Sequence, residues 1–367
     1  MCKCELCKQN KADKKGSHII PNFLIQSSFA ENGKEGRGNE LIFPISIISD
    51  FRFGRNVLPE RIHQAIGREL SDEEIEKNVK TPIPYVKDYF LCTNCEKRLG
   101  VIETLYADAI SKANTIDNYI ETPISPHLSH LFWLSVIWRI SVTNFGFKFQ
   151  DNAIEEDIRD ILNNTLSLKI DEIPDSGIYI TRLKKYGYYL TRFEEDDVIK
   201  GMYAPPTKKQ QTSFYPFLIN NYAFIFTHQN IEDRNIDKNE IHCFGVEDYL
   251  DELRINKGDS KETFNSLDKE TFSQILKHQS VDHASNMEED IGIIISDFFG
   301  VQCPKEFIHE VFMTYIAPIG KRSTPSKNAE LVLQTLDKQR LWSIIKTTYK
   351  KWVNEYENAF LGNISLE

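Results

Sequence analysis

Two short stretches, Cys4-Glu-Leu-Cys7 and Cys92-Thr-Asn-Cys95, decide how the chain is expected to fold. A C-x-x-C pair turns tightly enough to point two thiolates at one ion. Four thiolates at about 2.3 Å from the ion complete a tetrahedral zinc shell, which leaves no position for water or substrate. We therefore predict one structural zinc ion bound by Cys4, Cys7, Cys92 and Cys95, with any chemistry taking place beside it.

Cysteine pairs of this spacing also occur as redox-active dithiols and as disulfides. A redox pair is usually single, whereas this chain has two pairs, with lysines around the first. The first residues are charged and lack the apolar core of a signal peptide, so we expect a cytoplasmic, reducing location in which disulfides are rare. These features favour zinc, although Cys2 could compete with Cys4 as a ligand. Cys243 and Cys303 stand alone and are expected to be inert, buried thiols.

The charge of the chain limits the kinds of partner that it can bind. A net charge of −10 over 367 residues argues against a protein that coats nucleic acid with its whole surface. Residues 1–18 nevertheless contain five lysines and only two acidic residues. This local positive charge suits phosphate groups, and a solvated loop explains it equally well. The lysines are Lys3, Lys8, Lys11, Lys14 and Lys15.

Length and patterning predict an α+β protein, mostly helical, with two domains. Residues 1–120 would form a zinc-binding module with an insertion at about 28–88, and residues 121–367 an α-rich domain with a small antiparallel sheet. The most apolar stretch, residues 128–145, contains Arg139 and several polar residues, so it is expected to be a buried helix and not a membrane span. Arg139 would then need a buried acidic partner or a path to the surface.

Hydrophobic periodicity and turn residues predict the individual elements. An extended segment is expected at 17–27, one or two strands at 41–53, and helices at 93–114, at 128–145 and from a cap at Asn152. Further strands are expected at 177–183, 187–193, 214–219, 222–228 and 240–246, with a turn at Asn220-Asn221. The remaining helices are expected at 246–255, 268–278, 287–299, 305–316 and 330–360.

The order of motifs in residues 4–103 resembles the HNH, or ββα-metal, nuclease family. Members of that family have a cysteine pair, a histidine on a short strand, a second cysteine pair and a helix in this order. The residues that match are Cys4, Cys7, His18, Cys92 and Cys95. The resemblance implies that His18 is the general base and that a divalent ion beside it holds the scissile phosphate. Imidazole, with a pKa near about 6.5, can accept a proton at neutral pH.

The chain departs from the family pattern around this histidine. Ser17 stands where the family usually has a metal ligand, and Glu96 stands where a histidine usually follows the second cysteine pair. Lys87 and Asp88 occupy the region in which an asparagine is expected, and the separation of the two halves is unusually long. Glu96 would suit Mg²⁺ or Mn²⁺, which prefer oxygen ligands. Glu103 lies two turns further along the helix, about 10 Å away, so one ion could not bind both carboxylates.

Two hypotheses follow for the function. The first is a metal-dependent endonuclease that hydrolyses phosphodiester bonds in nucleic acid, DNA in the first instance, with catalytic residues His18 and Glu96; the resemblance suggests a role in bacterial defence. The second is a non-catalytic, zinc-stapled module that binds nucleic acid or protein, in which His18 bonds to a backbone carbonyl and Glu96 merely starts a helix. In either case residues 121–367 could carry a site for a protein partner.

Overall fold

The computed structural model of the chain describes residues 2–29, 85–116, 119–193, 214–228, 254–320 and 338–364. It also describes the short segments 41–42, 52–53 and 203–204 and a few single positions. The fold is of the α+β class, as predicted, and about 51 % of it is helical. The predicted helix 246–255 and the predicted strand 240–246 fall almost wholly outside the described residues.

The described residues of the N-terminal region include short strands and two helices. β1 (Ser17–His18) pairs antiparallel with β4 (Val86–Lys87), and β2 (Leu41–Ile42) pairs with β3 (Arg52–Phe53). Helix α1 covers Asn22–Phe29. The second pair of strands confirms the prediction for residues 41–53.

The prediction of an extended segment over residues 17–27 is wrong beyond β1, because α1 begins directly after Pro21. The carbonyl of Pro21 accepts a hydrogen bond from the Leu24 N–H at 3.0 Å. Buried Leu24 and Ile25 lie in the first turn of α1, and buried Ile19 and Ile20 precede it. The sequence therefore predicts correctly that these apolar residues are buried, but it assigns them the spacing of a strand and not that of a helix.

Helix α2 (Thr93–Ser111) begins at the second cysteine pair, close to the predicted bounds of 93–114. Cys92 is its N-cap, and the Cys92 sulfur accepts a hydrogen bond from the Cys95 N–H. Leu99, Ile102 and Tyr106 are buried at helical spacing and face the core.

Three further helices follow: α3 (Pro126–Thr143), α4 (Asn152–Thr165) and α5 (Ile178–Leu183). α3 confirms the predicted buried helix and is buried on all sides over residues 129–141. The cap of α4 is Asp151, one residue before the predicted Asn152, because the Asp151 side chain accepts from the Ala153 N–H at 2.8 Å.

The predicted strand at residues 177–183 is wrong, since these residues form α5. Arg182 of α5 forms ion pairs with Asp157 and Asp160 of α4, and its guanidinium lies 5.2 Å from the centroid of the Tyr179 ring. These contacts with a neighbouring helix outweigh the strand preference of isoleucine and tyrosine in the local sequence.

Within the part of the chain that the structure describes, the largest sheet has seven strands, in the order β5-β6-β11-β7-β10-β9-β8. β11 runs parallel to β7, and all other neighbours are antiparallel, so the sheet is mixed and wider than the predicted small antiparallel sheet. The predicted hairpin with a turn at Asn220-Asn221 is confirmed as β9–β10. The strands are β5 (Asn114–Ile116), β6 (Tyr119–Glu121), β7 (Gly187–Phe193), β8 (Tyr203–Ala204), β9 (Phe214–Ile219), β10 (Tyr222–Thr227) and β11 (Thr263–Leu267).

The C-terminal residues form α6 (Lys269–Phe299), α7 (Lys305–Gly320) and α8 (Lys338–Ile364). α6 joins the two helices predicted at 268–278 and 287–299 into one, capped by Asp268. These three helices share a core of their own, which includes Ile291, Val311 and Ile345. Within the described residues, none of the helices is both long and apolar enough to cross a bilayer.

The larger core is continuous from the cysteine pairs to the sheet. It contains Leu6 and Leu99 as well as residues of α3, α4 and the central strands. Phe132 of α3 stacks on Tyr106 of α2, with ring centroids 3.9 Å apart. Buried residues from both sides of position 120 therefore pack together, while the domain boundary at 120/121 stays a prediction.

Candidate metal centre

The four cysteines of the two pairs come together, although more than eighty residues separate the pairs in sequence. Their sulfur atoms all lie within 4.8 Å of one another. A zinc ion at about 2.3 Å from each of four sulfurs would hold them about 3.8 Å apart, so the donor set and its spacing fit a tetrahedral ion. Cys4, Cys92 and Cys95 are buried and Cys7 is half-buried. Among the described residues this is the only group of three or more metal-ligating side chains.

The first cysteine pair lies in a tight turn that the backbone closes. Lys3 and Lys11 form an antiparallel bridge, and the Cys4 N–H donates to the Asn10 carbonyl at 2.8 Å. Lys8 has a φ of 56°, in the left-handed region, and its N–H donates to the Cys4 carbonyl. This reversal directly after Cys7 brings both thiols to one side of the turn.

The second pair lies at the start of α2 and completes the cluster. The Cys95 N–H donates to the Cys92 sulfur at 3.5 Å, and the Asn10 amide donates to the same sulfur at 3.7 Å. N–H groups that point at sulfur stabilise the thiolate form, which is the form that binds metal.

The crowding of the thiols has electrostatic consequences. A hydrogen bond with the Cys95 thiol lowers the pKa of Cys4 to about 4, against the opposing effect of burial. The same hydrogen bond, together with burial, raises the pKa of Cys95. Adjacent buried thiols cannot all ionise unless a cation compensates their charge, so this cluster is suited to a divalent ion.

The cysteine cluster is attached to α4 by two arginines. Arg159 of α4 donates to the Leu6 carbonyl at 2.9 Å, within the first cysteine turn. Arg98 of α2 donates to the Leu166 carbonyl at 3.0 Å and to the Asn163 side chain at 3.2 Å, both at the end of α4. The metal centre is thus part of the larger core and not a separate appendage.

Replacing Arg98 with alanine is expected to lower the free energy of unfolding by about 2–3 kcal/mol, because carbonyl groups at the end of α4 lose their donor. The zinc content should stay the same, since Arg98 is not a ligand. Calorimetry with elemental analysis would test both statements, and Lys97→Ala, at an exposed neighbouring position, is the matched control. An Arg98→Ala protein with an unchanged melting temperature would contradict this role.

His18 lies on β1, opposite Val86 of β4. Its carbonyl accepts a hydrogen bond from Arg139 at 3.1 Å, and its ring stacks on Tyr85 with centroids 6.2 Å apart. The Nε2 atom is buried, while the residue as a whole is half-buried. Ser17, in the position where the resemblance expects a metal ligand, is completely buried.

The carboxylate linked to the His18 strand is Glu103. Its Oε1 atom forms an ion pair with Arg139 at 2.6 Å, and Arg139 also holds the His18 carbonyl. The side chain of Arg139 is only 3 % exposed, so the expectation of an acidic partner for this buried arginine is confirmed. Glu96 is half-buried in the first turn of α2, directly after Cys95. That Glu96 and His18 face each other stays a prediction.

Two aspartates fix the loops around β1 and β4. The Asp13 carboxylate accepts from the Thr93 N–H at 2.7 Å, at the start of α2, which lowers its pKa. The Asp88 carboxylate accepts from the Gly16 N–H at 2.7 Å and so closes the loop that precedes β1 onto the end of β4. Asp88 lies in the region where the resemblance expects an asparagine, and an aspartate can accept this hydrogen bond equally well.

Sequence reasoning did not identify the buried carboxylate of Glu262, which is 1 % exposed. Its Oε1 atom accepts from the hydroxyls of Tyr188 at 2.7 Å and Tyr106 at 3.1 Å and from the Trp133 indole at 3.1 Å. Its Oε2 atom accepts from the Thr122 hydroxyl at 3.0 Å. The local sequence Lys261-Glu-Thr-Phe264 contains no signal for this, because the donors come from four distant segments.

Comparison with known proteins adds no assignment to this geometry. No protein-family model, no curated protein and no solved structure matches the chain.

Proposed function

We propose that the protein is a metal-dependent hydrolase of phosphodiester bonds in nucleic acid, with a structural zinc ion at the four cysteines and His18 as general base. The observation that carries the proposal is the pairing of β1 with β4. It puts His18 on a strand whose partner leads, within a few residues, into Cys92 and α2. This pairing agrees with the order of elements on which the resemblance to HNH nucleases rests, and it supports the proposal for that reason.

The surroundings of His18 suit a general base. Its backbone carbonyl is held by Arg139, and the Nε2 edge of its ring is buried. We expect Nδ1 to take the proton from the attacking water. Glu96 would hold Mg²⁺ or Mn²⁺, an ion that supplies charge neutralisation at the phosphate when bound. A reducing location such as the cytoplasm would keep the four thiols able to bind zinc.

A second candidate is the zinc-stapled module that binds nucleic acid or protein without cleaving it. It is favoured by Ser17, which is fully buried and therefore out of reach of a substrate-bound ion. It is also favoured by Glu103, whose carboxylate is already paired with Arg139. Under this proposal the cysteine cluster serves folding only, and residues 121–367 supply a surface for a protein partner.

The experiment that separates the two is cleavage of plasmid DNA or RNA with added Mg²⁺ or Mn²⁺. His18→Ala should lower the rate by about 10²- to 10⁴-fold, as is typical when a general base is removed, and Glu96→Ala should abolish cleavage as well. Zinc content should be unchanged in both. His18→Asn, which retains a planar polar group, checks that lost packing against Tyr85 is not the cause.

His309→Ala is the matched control, because His309 is an exposed histidine on α7 that pairs with Glu288. It should cleave like the unmodified protein. Full cleavage by His18→Ala would instead show that His18 is not the general base, and no cleavage by the unmodified protein would leave the non-catalytic binding module as the better account.

A further inference from the structure

Tyr89 has a backbone conformation that its residue type disfavours. Its φ is 56°, in the left-handed region, where glycine and asparagine are the usual occupants and a bulky side chain is an outlier. The surrounding chain enforces this conformation, because the Tyr89 N–H donates to the Lys14 carbonyl at 2.8 Å. The position would accept glycine with less strain.

The tyrosine side chain does not compensate for this strain by burial. Tyr89 is 47 % exposed, whereas the next residues, Phe90 and Leu91, are buried. A strained residue that contributes little to packing points to a role in binding. Among residues 2–25 and 85–115, whose burial the structure describes, Tyr89 is the only large hydrophobic residue that is exposed. A protein or membrane contact would need a wider apolar patch than this single ring.

The surroundings of the ring are basic. The Lys15 ammonium lies 5.3 Å from the centroid of the Tyr89 ring, within the range of a cation–π contact. Lys87, two residues before Tyr89, is also exposed. Lys3 and Lys11, both exposed, lie opposite each other in their bridge, an arrangement of like charges that is destabilising.

The acidic residues of the same loops are occupied by internal hydrogen bonds. Asp88 accepts from the Gly16 N–H, and Asp13 accepts from Thr93. Glu5 pairs with Lys8. Residues 1–18 and 85–91 together carry six lysines against these three acidic residues, so positive charge remains in excess beside an exposed aromatic ring. An aromatic ring beside cations is the combination that binds unpaired nucleic-acid strands, since each base can stack on the ring while phosphates contact the cations.

We propose that Tyr89 and Lys15, with Lys87, Lys3 and Lys11, form a binding surface for single-stranded nucleic acid. This inference rests on the proposed function and names unpaired strands as its substrate class, because base faces are open to stacking only when they are not paired. Tyr89 follows β4 closely, and β4 pairs with the strand of His18. A nucleic-acid strand bound at Tyr89 would therefore pass beside His18, the candidate general base.

The test is fluorescence anisotropy without added Mg²⁺ or Mn²⁺, so that binding is read without cleavage. The probes are a short labelled oligothymidylate, an abasic oligonucleotide of the same length, and a duplex. Tyr89→Gly should weaken binding of oligothymidylate by roughly 5- to 150-fold, the effect of losing one stacked base. Binding of the abasic strand should hardly change. Tyr89→Gly should also raise the melting temperature, because glycine relieves the left-handed strain.

Two variants complete the design. Lys15→Gln should weaken binding of both single strands and reduce the salt dependence of binding. Tyr349→Ala removes a comparably exposed tyrosine, 49 % exposed on α8, and should leave binding unchanged.

The proposed binding surface is contradicted if Tyr89→Gly binds oligothymidylate with the same affinity as the unmodified protein. It is also overturned if the abasic strand or the duplex binds as tightly as oligothymidylate. These outcomes are separate from the cleavage assay. Binding that depends on Tyr89 without cleavage by any preparation would overturn the hydrolase and leave this surface standing. If cleavage depends on His18 but Tyr89→Gly does not change binding, the hydrolase proposal stands and the Tyr89 surface is overturned.

Discussion

Replacing Cys95 with serine is expected to remove the bound zinc and to unfold the part of the chain around the cysteine cluster. Structural zinc supplies about 10–16 kcal/mol of apparent folding free energy in small zinc modules. A whole domain is stable by only about 5–15 kcal/mol. The loss of one thiolate from this cluster should therefore exceed the stability that the neighbouring packing can provide.

The extent of the unfolding follows from the contacts of the cluster. Arg159 holds the Leu6 carbonyl, and Arg98 holds the end of α4. These contacts link both cysteine turns to α4. We therefore expect the loss of structure on zinc removal to extend beyond α2, into residues 152–165. Hydrogen exchange before and after chelation would map it.

Elemental analysis and calorimetry would test the zinc prediction directly. The unmodified protein should contain one zinc per chain, and Cys95→Ser should contain none and melt at a much lower temperature. Cys303→Ser, a thiol outside the cluster, should change neither quantity. Cys2→Ser should also be neutral if Cys4 is the ligand. A Cys95→Ser protein with full zinc content and an unchanged melting temperature would show that the cluster is not a metal site.

The parts of the fold that the sequence predicts well are those with local signals. The spacing of two cysteines fixes a turn, so the four sulfurs could be grouped without knowledge of the intervening chain. α2 and α3 have long helical patterns, and the β9–β10 hairpin has a turn at Asn220-Asn221 between two apolar runs. Each of these was predicted within a few residues of its observed bounds.

The errors arise where distant contacts decide the outcome. α5 is a helix because Arg182 meets Asp157 and Asp160, and α1 begins at Asn22 although the apolar residues from Ile19 to Ile25 resemble a strand. β11 lies beside β7, in parallel, and no local pattern places residue 265 next to residue 191. Pairing between strands so far apart in sequence leaves no trace in periodicity.

The same limit applies to the candidate site. An acidic partner for Arg139 could be predicted, because a buried guanidinium requires one. Its identity could not, since Glu96 and Glu103 lie seven residues apart on nearly the same helical face. Which of them meets Arg139 depends on how α3 packs against α2, and the structure places Glu103 there.

Replacing Glu262 with leucine is expected to lower the free energy of unfolding by at least about 4 kcal/mol, although leucine fills much of the same volume. The substitution leaves the hydroxyls of Tyr188, Tyr106 and Thr122 without this acceptor. The Trp133 indole also loses it but keeps the Tyr106 oxygen at 2.9 Å. Each buried donor that loses its acceptor costs about 1–3 kcal/mol. Because Tyr188, Tyr106 and Trp133 lie on β7, α2 and α3, the loss would affect the whole of the larger core.

Glu262→Gln is the matched variant, since glutamine keeps one acceptor oxygen and should cost only about 1–2 kcal/mol. Denaturant titration at neutral pH would measure both changes. If Glu262→Leu were as stable as Glu262→Gln, the hydrogen bonds to this carboxylate would not be a major contribution to stability.

Because Glu262 can be protonated, its contribution to the free energy of unfolding depends on pH. Burial raises the pKa of this carboxyl in the folded protein, against the opposing effect of its four hydrogen-bond donors. A raised pKa means that the folded state binds the proton more tightly than the unfolded chain does. The resulting stabilisation is complete below the unfolded pKa of about 4.3 and is lost as pH rises through the folded value.

Glu262→Gln should remove this component, because glutamine does not titrate. The free energy of unfolding of the unmodified protein should therefore fall, relative to that of Glu262→Gln, as pH increases above about 4.3. Glu121→Gln, which alters a partly exposed carboxylate paired with Lys261, should retain the pH dependence of the unmodified protein. Parallel pH profiles for the unmodified protein and Glu262→Gln would mean that Glu262 has the same proton affinity in both states. The four donors would then stabilise the carboxylate as effectively as water does, so that the hydrogen bonds balance the effect of burial.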